Sequence, residues 1–198
     1  MRVLERIAHV ILSESQAIAS VQLTPVYERA VDALAACEGK VVTMGMGKAG
    51  LIAQKMAATL CATGTPAVFL HPGEAAHGDL GVLTSRDVLI AYSTSGKTAE
   101  VLEAIASARR LGVATIIGIT SHPDAPLREL VDLVLDMGVV EEPCPLGLTP
   151  SASSAVMLAI SDAIAVAVAE VIGFSRAEFA VRHRGGYLGA QVRLVANG

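Results

Sequence analysis

Residues 41–60 read VVTMGMGKAGLIAQKMAATL, which is a short apolar run, a glycine-rich turn and then a helical pattern. The apolar run does not alternate with polar residues, as is typical of a strand buried on both faces. The helical pattern stops at Gly64, a residue that suits the position just after a helix. We therefore predict a strand followed by a helix that covers the sheet. The predicted inner face of this helix holds Leu51, Ile52, Met56 and Leu60.

The same unit recurs along the chain. A second helical pattern covers residues 98–111, and two more helices precede the first strand, with Pro25 between them. Because strands that alternate with helices form layers joined by right-handed crossovers, we predict an α/β fold. The expected architecture is a three-layer α/β/α sandwich with a five-stranded parallel sheet, flavodoxin-like in type. The five predicted strands are residues 41–44, 67–70, 87–92, 115–119 and 133–135.

A long apolar helix is expected near the C-terminus. Thr149 is a natural N-cap and Pro150 suits the first helical position. Residues 155–172 are apolar on nearly every side, so this helix should be buried in the core or at a contact between subunits. The uncharged segment 143–161 contains prolines and serines and is a poor membrane span. We therefore expect no membrane partner.

Composition narrows the class of protein. The chain has 198 residues, of which 53% are hydrophobic and 3% aromatic, and its net charge is −4. This favours one domain over residues 1–198 and excludes disorder, and it argues against nucleic acid as a partner. Three widely spaced cysteines indicate reduced thiols, and charged residues near the start exclude a signal peptide, so we expect a cytoplasmic protein. With few aromatics, a ligand must be held by polar groups, which favours a phosphorylated small molecule.

The glycine-rich turn at residues 45–50 spells G-M-G-K-A-G, the pattern of a dinucleotide site. That interpretation also needs an acidic residue at the end of the second strand, where the sequence reads Leu70-His71-Pro72. Lys48 stands inside the pattern, where backbone should approach a pyrophosphate. A tight turn accounts for the glycines alone. It does not account for a lysine at the edge of the sheet where ligands bind.

A second loop, residues 93–98, reads S-T-S-G-K-T and opens a helix. Hydroxyl and backbone N–H groups at a helix N-terminus bind anions. A P-loop would need glycine five positions before Gly96, and Ala91 stands there. We therefore predict that this loop binds a monophosphate.

Three further polar clusters are candidates for chemistry. Residues 71–81 hold two His, one Glu and one Asp, but their spacing matches no common zinc pattern, and we predict no metal and no cofactor. Glu141 and Glu142 follow the fifth strand and offer a possible general base, with Glu141 as an ordinary surface charge. His183 stands between Arg182 and Arg184, whose charges would favour a neutral imidazole.

These segments together resemble the sugar isomerase (SIS) domain family, and more closely its arabinose-5-phosphate isomerase branch. The resemblance spans about residues 5–195. The serine-rich loop is shared by all SIS domains, whereas two other segments are more specific to the branch. The matching segments are Met44–Lys48, His71–Gly81, Ser93–Gly96 and Cys144–Leu148.

The resemblance implies an aldose–ketose isomerase that interconverts D-ribulose 5-phosphate and D-arabinose 5-phosphate, a step toward the sugar Kdo of bacterial lipopolysaccharide or capsule. It also implies a homotetramer whose active sites borrow residues from neighbouring subunits. Members often carry two CBS modules after the SIS domain, and we expect a SIS domain without them here. The implied catalytic set is Lys48, Glu100, Glu142 and His183, and the implied substrate-binding set is Gly47, His77, Ser93, Thr94, Ser95 and Thr98.

The sequence departs from the family pattern at three positions. Lys97 replaces a usual Glu, and Arg182 and Arg184 flank His183 where the family has other residues. Three other functions therefore stay open. They are a phosphosugar sensor without catalysis, an isomerase of another phosphosugar, and an NAD(P)-binding oxidoreductase that rests on the glycine pattern alone.

Overall fold

The computed structural model describes residues 2–185, which are built around a five-stranded, all-parallel sheet in the order β2-β1-β3-β4-β5. All five predicted strands are confirmed: β2 has the predicted bounds, and each of the other four differs by one residue at one end. Asp87 lies outside its predicted strand because its carboxylate accepts hydrogen bonds from the backbone of Lys40 and Thr84. The strands are β1 (Val41–Gly45), β2 (Ala67–Leu70), β3 (Val88–Tyr92), β4 (Thr115–Thr120) and β5 (Leu133–Asp136).

Helices connect and cover these strands. In α3, Ile52, Met56 and Leu60 face the core as predicted, but Leu51 is 64% exposed, so its assignment to the inner face was wrong. Leu51 precedes Ile52 by one residue, which turns it about a quarter of a turn away from the buried stripe. The helices are α1 (Val3–Ala19), α2 (Pro25–Ala35), α3 (Gly47–Ala62), α4 (Pro72–Ala75), α5 (Ala99–Arg110), α6 (Leu127–Leu130), α7 (Ala152–Val171) and α8 (Arg176–Arg182).

Two apolar clusters, one on each face of the sheet, confirm the three-layer sandwich. On one face α2, α3 and α7 pack against strand residues such as Ile90 and Ile117. On the other face α5 and α6 pack against Leu89 and Ile116. Alternate residues of β3 and β4 therefore point into different clusters, and both strands are buried on both sides.

The start of α7 differs from the prediction. Thr149 and Pro150 lie in the preceding loop, and Ser151 occupies the N-cap position without a side-chain capping bond. Glu142 provides the cap instead, because its carboxylate accepts the backbone N–H groups of Ser151 and Ala152. The helix thus begins where a carboxylate from an earlier loop meets its first amides.

The apolar character of α7 has a structural reason. By length and composition it is the one helix of the described residues that could cross a membrane, but half of that stretch is buried inside the fold. It packs against α1, α2 and α3 and contributes residues such as Val156 and Ile164 to the core. Of the two predicted places for this helix, the core or a contact between subunits, the core is confirmed for its buried half.

Candidate active site

A cleft of about 850 Å³ lies beyond the carboxyl ends of β1, β3 and β4. In this strand order β1 is followed along the chain by β2 on one side, while β3 pairs with β1 on the other side. Ligands of open parallel sheets bind at such a topological switch point. The two loops that the sequence singled out, after β1 and after β3, therefore face the same space.

The loop of residues 93–98 has the form of an anion cradle. The Ser93 hydroxyl accepts the N–H of Gly96 at 3.0 Å and is 2.9 Å from the Thr98 hydroxyl. Ser95 accepts the N–H of Lys97 at 3.2 Å. Thr98 is the N-cap of α5 and makes no side-chain capping bond, so the first amides of α5 are left to a ligand or to water.

Gly96 allows this loop to close. Its φ is +62°, and a Cβ at this position would lie 2.4 Å from the Cβ of Ala125. The turn also rests on β4, since the Thr120 hydroxyl donates to the carbonyl of Thr94 at 3.2 Å. The loop is therefore attached to the end of β4 by this hydrogen bond and packs closely against Ala125.

The glycines of the first loop are explained by packing. A Cβ on Gly50 would lie 2.5 Å from the carbonyl oxygen of Gly45, so α3 can approach β1 only with glycine there. Gly47 has a φ of +57° at the start of α3. Lys48 follows it, is exposed, and lines the cleft, whereas Gly47 does not. The pattern that suggests a dinucleotide site thus serves the strand-to-helix turn.

Glu142 also lines the cleft and lies half-buried in the loop between β5 and α7. One carboxylate oxygen accepts the N–H groups of Ser151 at 2.8 Å and Ala152 at 2.9 Å. The other accepts the hydroxyl and the N–H of Ser153. Partial burial alone would raise the pKa of Glu142, but these hydrogen bonds outweigh it and hold the pKa below its usual value. The side chain is therefore a carboxylate at neutral pH.

Cys144 organises the loop between Glu142 and α7. Its sulfur accepts the N–H groups of Leu148 and Thr149, each at 3.2 Å. These bonds lower the pKa of the Cys144 thiol to about 7, with the Thr149 amide as the largest cause. Gly147 and Leu148 of the same loop line the cleft.

His122 is a cleft residue that the sequence analysis missed. It follows β4, and its Nδ1 donates to the carbonyl of Thr94 at 3.2 Å. No local motif marks it, because only the pairing of β3 with β4 brings it beside the loop of residues 93–98. Its position after a strand end in a parallel sheet is the one signal that could have found it.

The structure separates the predicted site residues into groups. Lys48, Glu142 and the hydroxyl residues of the 93–98 loop share the main cleft. His77 and Glu100 line a smaller cavity of about 290 Å³ between α4 and α5.

His183 ends α8 and lines neither of these two cavities. Its ring stacks on Phe179 with centroids 3.7 Å apart. Arg182 belongs to α8, with its guanidinium over Phe174.

The histidine-rich segment after β2 does not assemble a metal centre. The ring of His71 accepts the N–H of Gly73 and caps α4. Among residues 2–185, no three His, Cys, Asp or Glu side chains come together in a way that could hold a metal ion.

A five-stranded parallel sheet with a cleft at its carboxyl edge is the architecture of a SIS domain. The chain belongs to the SIS domain family, whose pattern matches residues 34–167. Arabinose 5-phosphate isomerase KdsD of Pseudomonas aeruginosa is 45% identical over 168 residues, which are 85% of this chain and 51% of that protein. The chain thus spans about half the length of the curated relatives it matches. The predicted resemblance to this branch is confirmed.

Two solved structures share the whole architecture. A Bacteroides fragilis protein, proposed to be a phosphosugar isomerase involved in capsule formation, has a TM-score of 0.90 and 42% identity, covering 94% of this chain and 100% of its own. An Escherichia coli CFT073 protein in complex with arabinose 5-phosphate has a TM-score of 0.85 and 40% identity, covering 92% and 100%. Both are similar to this chain over nearly its full length.

Proposed function

We propose that this protein is an aldose–ketose isomerase that interconverts D-ribulose 5-phosphate and D-arabinose 5-phosphate through a cis-enediol. The observation that carries the proposal is one cleft that holds a serine-rich anion cradle, Lys48 and the ionised Glu142. The identity to KdsD and the likeness to the complex with arabinose 5-phosphate support the choice of sugar.

The phosphate end of the substrate is assigned to the loop of residues 93–98. Its hydroxyl groups and the N-terminus of α5 offer donors to a dianion. Binding of the phosphate at this end fixes how far the rest of the sugar extends into the cleft. The reacting carbons C1 and C2 are thereby positioned for proton transfer.

Glu142 is assigned as the base that moves a proton between C1 and C2. It takes the proton from the carbon next to the carbonyl, and the electron pair moves to the carbonyl oxygen to give an enediolate. Lys48 is assigned the role of stabilising the negative charge on that oxygen. The hydroxyl proton of the carbon that lost the first proton then moves to the enediolate oxygen. Return of the first proton to the former carbonyl carbon gives the isomer, with the new carbonyl on its neighbour and no net gain or loss of atoms.

A second copy of the chain is assigned the rest of the site. His183, with His77 as the alternative, would carry the hydroxyl protons, and Glu100 is the second candidate base. None of the three lines the main cleft of a single chain. We therefore propose a homotetramer in which neighbouring copies bring these groups together. The steps use only side chains, so we propose no metal and no cofactor.

The cellular setting follows from the proposed chemistry. Arabinose 5-phosphate would supply the route to Kdo, and we propose that the enzyme works in the cytoplasm. Incubation with ribulose 5-phosphate, followed by chromatographic or NMR detection of arabinose 5-phosphate, tests the activity. A lack of product with this substrate would reject the proposed reaction.

The replacement Glu142→Gln tests the assigned base. Because Gln cannot accept the carbon-bound proton, we expect kcat to fall by about 10²–10⁴-fold, the usual contribution of a general base. Inhibition by inorganic phosphate should be retained, because the cradle of residues 93–98 is unchanged. Turnover near that of the unaltered protein would remove Glu142 from this role.

A sugar-phosphate sensor is the second candidate. It is favoured by the absence of His77, Glu100 and His183 from the main cleft, since a sensor needs the phosphate cradle but no proton-transfer set. A rise in melting temperature with phosphosugars but no product would favour the sensor. Turnover of a different phosphosugar would change the substrate, and stabilisation by NAD alone would favour an oxidoreductase.

A further inference from the structure

The carboxylate of Glu142 is held by three consecutive residues at the start of α7. Both of its oxygens accept hydrogen bonds, and the donors include backbone N–H groups of Ser151, Ala152 and Ser153. A carboxylate has about four acceptor positions, so this set of donors leaves little rotational freedom. The orientation of Glu142 in the cleft is therefore determined by the first turn of α7.

The hydroxyl of Ser153 is the side-chain donor that stands out in this group. Ser153 is only 2% exposed, and its hydroxyl donates to one oxygen of Glu142. The hydroxyl of Ser151 is 3.3 Å from the other oxygen. Ser161, a buried serine further along α7, donates instead to a carbonyl of its own helix. The hydroxyl of Ser153 is thus directed out of the helix and onto the proposed base.

We propose that Ser153 is a positioning residue for Glu142, and that its hydroxyl fixes the carboxylate in the orientation in which it faces the substrate. This inference rests on the proposed function, in which Glu142 moves the proton. The hydrogen bonds from the backbone amides of α7 to Glu142 do not depend on side chains, whereas the hydrogen bond from the Ser153 hydroxyl can be removed by substitution.

The hydrogen bonds to Glu142 also affect how the rate of the enzyme depends on pH. Burial raises the pKa of Glu142, and the hydrogen bond from Ser153 is the largest of the causes that lower it. Its removal should move the pKa of Glu142 upward. Because the base acts when ionised, the acid limb of the rate profile should move to higher pH. The other titratable groups that line the cleft or its loop are Lys48, Tyr92, His122, Glu141 and Cys144.

The replacement Ser153→Ala tests the proposal, with Ser161→Ala as the matched loss of a buried hydroxyl from the same helix. For Ser153→Ala we expect kcat to fall about tenfold to a hundredfold, as misplacing a reacting group can do. The KM for ribulose 5-phosphate should change less than about twofold, since the phosphate cradle is untouched. Ser161→Ala should leave the acid limb in place. An acid limb at the same pH in both variants would overturn the proposal.

A measurement without turnover separates this inference from the proposed function. Titration of ¹³C-labelled glutamate carboxyl groups by NMR, with Glu142→Gln to assign the signal, follows the ionisation of Glu142 directly. We expect its midpoint to rise in Ser153→Ala. If the unaltered protein makes no arabinose 5-phosphate, the proposed reaction fails, while this titration still tests whether the Ser153 hydroxyl acts on Glu142. An unchanged midpoint in Ser153→Ala overturns the role of Ser153 even if the enzyme is active.

Discussion

The carboxylate of Glu142 caps a 20-residue helix and is also the proposed proton acceptor. Capping keeps it ionised at neutral pH, but a carboxylate with a lowered pKa is a weaker base. Proton removal from the sugar must then be helped from the other side, by stabilising the oxygen that becomes negative. Lys48, which lines the same cleft, is the residue to which we assign that task. The two residues are therefore useful only as a pair.

Cys144 offers a test of the loop that carries Leu148 into the cleft. Its pKa of about 7 makes about half of the thiol a thiolate at neutral pH, whereas an ordinary cysteine has a pKa of about 8.5. Alkylation by iodoacetamide should therefore become faster as the pH rises and level off above about pH 8. Peptide mapping by mass spectrometry across pH 5–9 measures this rate at Cys144.

The variants Cys144→Ser and Cys144→Ala provide the controls. Both should lose the label at this position, and only Ser retains an acceptor for the amides of Leu148 and Thr149. We therefore expect Cys144→Ser to hold the loop better than Cys144→Ala. A midpoint for alkylation above pH 8 would contradict the hydrogen bonds that we assign to the sulfur.

At the scale of elements, the features that could be predicted from the sequence are those made of residues that are adjacent along the chain. Short apolar runs predicted every strand, and the serine-rich loop was found because its residues are adjacent. The cap of α7 was misplaced onto Thr149 because the real cap, Glu142, comes from a loop nine residues before Ser151. His122 was missed for the same reason, since its partner Thr94 lies on a different strand end. Contacts between distant segments leave no pattern in one sequence.

The loop before α5 carries the next prediction. Ser95→Ala removes a hydroxyl assigned to the phosphate, so we expect the KM for ribulose 5-phosphate to rise about tenfold, the value of one lost hydrogen bond to a charged group. The kcat should change little, because Glu142 and Lys48 stay in place. Steady-state kinetics and inhibition by inorganic phosphate measure the effect. An unchanged KM would reject the phosphate assignment of this residue.

Gly96→Ala distinguishes loop shape from loop chemistry. The added Cβ would meet Ala125 and Thr120, and the positive φ disfavours any other residue. We expect a loss of stability of about 1–3 kcal/mol or more, measured by denaturant unfolding. Ser95→Ala should leave stability within about 0.5 kcal/mol, because Ser95 lies at the surface of the turn.

At the scale of the molecule, the strand order explains why two separate motifs form one cleft. The loops after β1 and β3 are 46 residues apart in sequence, from Gly47 to Ser93, yet their strands are paired. The segment that connects β5 to α7 also lines this cleft and completes the site. His77, Glu100 and His183 are left outside this cleft, which is the reason that a second copy is part of the proposed function.

The outer face of α1 gives the final prediction. Leu4, Ile7 and Ile11 recur at helical spacing and are 49–78% exposed, an apolar stripe that is costly to leave in water. We expect it to be covered by another copy of the chain. Because the proposed assembly is a homotetramer, light scattering should give a mass about four times that of one chain. Ile7→Asp with Ile11→Asp should dissociate the assembly and lower activity, if sites are shared. Leu130→Asp, on the opposite side of the sheet, should leave the mass unchanged, and a monomeric unaltered protein with full activity would contradict the shared site.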